Sequence, residues 1–226
     1  MADLIYHPNT SMTDAWDALA RKDARDAILF RTTPEEFERT GQHEADYLRQ
    51  VIGRFGGDQA TVLDLGGGIG RVALYLAPHV AHYILADASR EMLAQATERL
   101  KDMGKISLYH TSGFDLAGLP DQHLDFVFSY LTFQHMDREV QVRYLQEVFR
   151  VLKPTGGFWF QVPAMHYPER FNDVANGDWP INIRRWVPGE LLELCARIGY
   201  GIDAADCDYM QVLLRKPAAT AEWLRY

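Results

Sequence analysis

Two kinds of patterning divide the chain near residue 60. Beyond it, short apolar runs recur, and most give way to stretches with apolar positions three and four apart; before it, only the second pattern is present. Val62, Leu63 and Leu65 suit a strand covered on both faces of a parallel sheet, where polar side chains are scarce. The runs 82–86, 106–110, 124–130 and 158–162 have the same character. Between them, 71–77 keeps helical spacing until Pro78, and Ser89 is a good N-cap for a helix reaching Leu100. A third helix over 139–152 places Val140, Tyr144, Leu145, Val148 and Leu152 on one face. Strand and helix in alternation predict an α/β fold. Pro188 opens a further helix that ends at Gly199, and 202–205 and 209–215 read as two last strands. The first sixty residues carry no strand pattern; 14–25, 34–39 and 44–55 read as helices.

The first strand ends in Asp64 and runs straight into Gly66, Gly67, Gly68 and Gly70. Glycines remove the side chains that would keep a ligand off the backbone, and the turn after such a strand faces the ligand crevice of an open α/β sheet. Strand, glycine turn and helix make the first half of a nucleotide-binding βαβ unit. A dinucleotide fingerprint has the form G-x-G-x-x-G; counted from Gly66 and Gly68, its third glycine falls on Arg71. The chain has D-x-G-x-G-x-G over 64–70 instead. Asp87 closes the second apolar run and follows the turn by the ~20 residues expected of a ribose-binding carboxylate. Being acceptor-only, a carboxylate takes both ribose hydroxyls. The bland alternative for Asp87 is a surface or capping aspartate.

In these motifs the chain resembles the class I S-adenosylmethionine-dependent methyltransferases. Their first motif has the D-x-G-x-G-x-G form, and their second strand ends in D-x-S-x-x-M-L, here Asp87, Ala88, Ser89, Met92 and Leu93. Their fourth strand has the L/F-D-x-V-x-S form of Leu124 to Ser129, and an L-K-P-x-G-G turn, here 152–157, leads into the fifth. The resemblance is strong over about 60–162 and weak over the last forty residues. It implies a Rossmann-like three-layer sandwich whose seven-stranded, mostly parallel sheet ends in an antiparallel hairpin. It also implies S-adenosylmethionine as cofactor, an N-terminal helical cap over 1–58, and a methyltransferase domain over 59–226.

The resemblance further implies that Asp64, Gly66, Gly67 and Gly68 shape the cofactor turn, with Asp87, Ala88 and Met92 about the ribose and adenine. Phe114 and Asp115 are the candidates beside the adenine, and Ser129 and Tyr130 border the transfer site. Phe114 reads equally as plain core. From the cap, Trp16, Arg39, Thr40 and Gly41 are in a position to reach the methionine carboxylate or the acceptor; an arginine fork matches a carboxylate, while the other reading of Arg39 is a solvated helix face. His135 and His166 are the catalytic candidates, His135 as a general base with a structural role as its alternative. Residues 163–186 lack periodicity and are long for a connector, which suits a substrate loop. His166, Tyr167, Arg170, Trp179 and Trp186 then line the acceptor pocket or anchor the loop to the core.

Composition narrows the partners. A formal charge of −8 without a basic stripe argues against a nucleic-acid acceptor, and a small organic molecule is expected. No apolar run is long enough for a bilayer, and 1–4 lacks the basic start of a signal peptide, so a cytoplasmic monomer or homodimer is expected. The two cysteines, Cys195 and Cys207, have neither metal spacing nor a disulfide framework. Two other readings stay open: a nicotinamide oxidoreductase of similar architecture, and a cofactor-binding sensor or assembly protein without transfer activity.

Overall fold

The computed structural model describes residues 10–165, 183–206 and 211–218. Its centre is a seven-stranded sheet of β1 (Thr61–Leu65), β2 (His82–Asp87), β3 (Ile106–His110), β4 (Leu124–Ser129), β5 (Leu152–Gln161), β6 (Gly201–Asp206) and β7 (Gln211–Arg215). The spatial order is β3-β2-β1-β4-β5-β7-β6. β1 to β5 pair in parallel, whereas β7 is antiparallel to both β5 and β6. This is the Rossmann-like sandwich with a terminal antiparallel hairpin that the motifs led us to expect.

Successive residues of a strand point to opposite faces, so each apolar run feeds two cores. Leu63, Val127, Phe158 and Phe160 face one side and pack with α5 (Arg138–Val151) and α6 (Pro188–Ile198). Val62, Phe126, Phe128 and Trp159 face the other, against α2 (Pro34–Ile52), α3 (Ala73–Leu76) and α4 (Arg90–Arg99). Burial on both faces is why these strands read as continuous apolar runs. Cys195 lies in the first core, where burial pushes its thiol up to about 12, as for an inert packing residue; Cys207 lies outside the described residues.

The N-terminal region departs from expectation. The helices read over 34–39 and 44–55 are one helix, α2, begun by a capping box between Thr33 and Glu36. Phe37, Gly41, Ala45, Leu48 and Ile52 form a single buried stripe through the Thr40–Gly41 step, and packing of that face outweighs the glycine's cost of about 1 kcal/mol. α1 (Thr10–Ile28) runs further than expected and kinks at Asp23, whose carboxylate accepts from the Arg25 and Asp26 amides and so caps its last stretch. After the glycine turn, the expected helix is one α-turn followed by a 3-10 turn at Ala77–His79. The L-K-P-x-G-G segment belongs to β5 as a bulge, with Thr155 at φ +68° and a register jump opposite Leu124 and Phe126. Among the described residues, no helix is long and apolar enough to cross a membrane.

α1 is fastened across the carboxyl edge of the sheet. Ala20, Ala24 and Ala27 pack with Phe37, Ile69 and Met92. Asp17 accepts from Ser89 Oγ and, at 3.2 Å, from the Glu91 amide at the start of α4, a position where a carboxylate is favoured. These bonds and Arg21 hold the Asp17 carboxyl below its usual range against the opposing effect of burial.

Candidate functional site

β1, β2 and β4 end side by side, and the glycine turn rises from the first of them. Gly66 has φ +82°, and a Cβ there would come 2.0 Å from the Thr132 methyl. Gly67 is as constrained from below, since its Cβ would meet Leu85 at 2.6 Å and Asp64 Oδ2 at 2.8 Å. Asp64 therefore lies directly beneath the turn, 3% exposed, and accepts from the Tyr83 hydroxyl at 2.7 Å. Burial pushes its carboxyl up to about 7, with the Tyr83 bond opposing the shift and the Asp87 charge adding to it. Asp87, at the end of β2, is held by backbone: Gly68 N–H donates to Oδ2 at 2.9 Å and Ser89 N–H to Oδ1 at 2.8 Å. Burial raises its carboxyl and these bonds oppose the rise. A carboxylate has about four acceptor positions, so Asp87 keeps capacity for hydroxyl donors.

These groups open into one cleft of about 990 Å3, counted to its open mouth. Its β3 side is uncharged, with Ala88, Met92, Thr111 and Gly113. The β4 side holds Tyr130, Leu131, Thr132 and His135, and α1 roofs it with Met12, Thr13 and Trp16. Leu131 has φ +56°, a strained conformation for a non-glycine residue and one that clusters at functional sites. Thr132 holds the bend by donating to the Gly66 carbonyl at 2.9 Å, which ties the segment after β4 to the glycine turn.

Comparison with known proteins adds the family. Residues 62–156 match the family model of a methyltransferase domain. Over those residues the chain is similar to that domain. Its fold is that of the class I S-adenosylmethionine-dependent methyltransferases, whose cofactor is S-adenosylmethionine. An uncharacterized protein of Haemophilus influenzae is 38% identical over 81 residues, which is 34% of this chain and 32% of that protein, so the match spans about a third of the relative's length. Among solved structures, the complex of the Haloferax volcanii Trm112 methyltransferase activator with a methyltransferase is similar at TM-score 0.69 and 18% identity, over 93% of this chain and 99% of that one. Haemonchus contortus phosphoethanolamine N-methyltransferase 1, with phosphoethanolamine and S-adenosylhomocysteine, is similar at 0.71 and 17%, over 94% of this chain and 49% of that one. The [4+2]-cyclase SpnF is similar at 0.63 and 20%, over 79% and 83%. At these identities the likeness is one of fold.

The cleft gathers Asp64, Gly66, Gly67, Gly68, Asp87, Ala88, Met92, Tyr130, Trp16 and His135 from the candidates that the sequence suggests. The structure places other candidates elsewhere. Phe114 packs against the α5-side core with the Arg143 guanidinium 5.0 Å from its ring centroid. Asp115 is taken up in its own turn, accepting from Ser112 Oγ at 2.8 Å, with Arg143 at 3.7 Å. The lining on that loop comes from Thr111 and Gly113, because the loop turns its side chains towards α5. Ser129 is fully buried and donates to the Leu65 carbonyl at 2.8 Å, so it braces β4 against β1. Arg39 is exposed on α2, the solvated-face reading. His166, Tyr167, Arg170 and Trp179 lie outside the described residues.

Trp186 is 4% exposed in the core and donates from Nε1 to Gln141 at 2.5 Å, so it anchors the 163–186 loop and does not line the pocket. Arg184 N–H donates to the Gln134 carbonyl at 2.7 Å, and its guanidinium pairs with Asp137. The loop's end is thereby stapled to the segment that carries His135. Sequence reasoning missed Arg71, Thr132 and Leu131. Arg71 stands where a dinucleotide fingerprint has its third glycine, and nothing in the neighbouring sequence signals its burial.

The residues present fit S-adenosylmethionine. The turn leaves no room for side chains at Gly66 and Gly67, Asp87 retains acceptor capacity, and the uncharged β3 side suits a flat adenine.

Proposed function

We propose that the protein transfers the methyl group of S-adenosylmethionine to an O, N or S atom of a small organic acceptor. What carries the reading is one continuous cleft in which a diol-accepting carboxylate, Asp87, and the glycine turn lead to a second wall made by Tyr130, Leu131, His135 and Trp16. In this reading residues 1–58 act as a cap and 59–226 as the transferase domain, with the 163–186 loop completing the acceptor side.

When bound, the cofactor supplies a methyl carbon already made electrophilic by its sulfonium. The chain's own work is to hold an acceptor lone pair in line at ~3 to 3.5 Å and to exclude water. Trp16 and His135, both lining the cleft, meet edge to face with ring centroids 5.5 Å apart, which links α1 to the segment after β4. His135 is the group placed to take a proton from a hydroxyl acceptor; a neutral amine or a thiolate has no such need. The test is formation of S-adenosylhomocysteine from S-adenosylmethionine with pooled phenols, carboxylic acids, amines and thiols. Turnover with one pool supports the reading and names the acceptor atom. Tight cofactor binding with no turnover in any pool favours a sensor or a non-transferase role.

A further inference from the structure

α5 buries Val140, Tyr144, Leu145, Val148 and Val151, and with them one amide, Gln141, at 0% exposure. Both ends of that amide are in use. Its Nε2 donates to the Phe133 carbonyl at 2.6 Å, and its Oε1 accepts from Trp186 Nε1 at 2.5 Å. Phe133 opens the 3-10 turn Phe133–His135, and Trp186 is the last residue of the 163–186 loop. The same turn is gripped a second time. The Arg184 amide donates to the Gln134 carbonyl at 2.7 Å, and the Arg184 guanidinium pairs with Asp137, the N-cap residue of α5.

For the fold alone, an apolar residue at 141 would fill the same space without desolvating an amide, and a buried amide is tolerated only while its partners are in place. What the amide adds is position. One of its bonds goes to the turn that carries His135 and the other to the end of the loop, so a rigid, satisfied group sets where the turn sits relative to the loop. The turn needs such support. It is a single 3-10 turn, whose hydrogen bonds are poorer in geometry than those of an α-helix, and it follows Leu131 at φ +56°. A group that takes a proton must stand at hydrogen-bond distance, so a shift of the turn by about 1 Å is enough to impair it. Gln141, Arg184 and Trp186 do not themselves line the cleft and reach it through the turn.

We infer that Gln141 is a positioning residue for His135, and that Trp186 and Arg184 couple the end of the 163–186 loop to the same turn. Methyl transfer to a hydroxyl acceptor then depends on how the loop's end is seated, while cofactor affinity does not. The inference rests on the reading of His135 as the group that takes the acceptor's proton. It gives the loop a part in transfer through its anchored end.

The test pairs NMR of the His135 ring with turnover. The ring signals are assigned by their absence in His135→Asn, and the Trp16 ring current makes them sensitive to the turn's place, since the two centroids are 5.5 Å apart. The double variant Gln141→Met/Trp186→Phe removes the amide and the indole donor together, so neither is left unpaired against the other. It is expected to move the His135 signals and to leave S-adenosylhomocysteine affinity, read by calorimetry, within about threefold. With the phenol pool its kcat is expected to fall about 10- to 100-fold, the scale of a 1 Å misplacement, at unchanged KM for S-adenosylmethionine. Trp186→Phe alone, which keeps the aromatic packing, carries the same test should the double variant not fold. Arg184→Gln/Asp137→Asn removes the second grip without leaving a lone charge and is expected to act in the same direction. Unmoved His135 signals, moved signals with unchanged kcat, or equal loss of cofactor affinity and turnover would each overturn the inference. Absence of wild-type turnover with every acceptor pool removes the transfer reading instead, and the His135 signals then still decide whether Gln141 holds the turn.

Discussion

The two ends of the cleft are built differently. The end at Asp87, proposed for the ribose, comes from two short contiguous segments, 64–70 and 87–92, in which backbone amides and one carboxylate do most of the positioning. The opposite end, proposed for the acceptor, is assembled from α1 and the segment after β4, elements that meet only in the folded chain, and Arg184 braces that segment through Gln134 and Asp137. The first arrangement suits a cofactor shared across a family. The second leaves room for different acceptors without disturbing the turn.

The largest effect should come from filling the turn. Gly66→Val places a branched side chain where a single Cβ already meets Thr132 at 2.0 Å, at a φ that valine avoids. S-Adenosylhomocysteine binding should be lost beyond detection by calorimetry, and detectable binding at wild-type strength would show that the turn is not the cofactor contact. Asp87→Ala comes next. It leaves the ribose hydroxyls without their acceptor and should weaken cofactor binding by about 1–3 kcal/mol; an unchanged affinity would move the ribose contact elsewhere.

Asp64 sharpens the contrast through pH. Its folded-state carboxyl is raised from 3.8 to about 7, so between those values the native state binds more protons than the unfolded chain. Stability contributed by this group is therefore present below pH 4 and lost as pH rises towards 7. Asp64→Asn does not titrate, so its advantage in Tm over wild type should grow from pH 5 to pH 8, by roughly 2–4 °C per kcal/mol gained. A constant difference across that range would mean that Asp64 is ionised throughout. At the acceptor end, His135→Asn should lower kcat about 100-fold with a hydroxyl acceptor and leave cofactor affinity unchanged. Equal loss in cofactor binding would place His135 in the ribose end instead. The smallest effect is expected from Phe114→Ala and Asp115→Asn, which should shift cofactor affinity less than about threefold, because neither side chain lines the cleft. A tenfold loss in either would restore it to the adenine site.

What was legible in the sequence follows the same division. Asp64, the glycines and Asp87 could be read because their chemistry lies within a few consecutive residues and follows directly from the strands before them. Arg71 could not, because its environment depends on Thr40 and Glu44 of another helix. Leu131 has no sequence signal for its positive φ; the conformation is enforced by Thr132 bonding back to the Gly66 carbonyl. Phe114 and Asp115 stand at the right distance from β3, but the direction in which that loop turns is set by Arg143 on α5. The continuity of α2 was available in principle, since Phe37, Gly41, Ala45, Leu48 and Ile52 keep helical spacing through the glycine.

The most direct test of the account is isothermal calorimetry of the protein with S-adenosylmethionine, S-adenosylhomocysteine and NADH in parallel. The account predicts that the first two bind and NADH does not. Binding of NADH alone, or of none of the three, would contradict it.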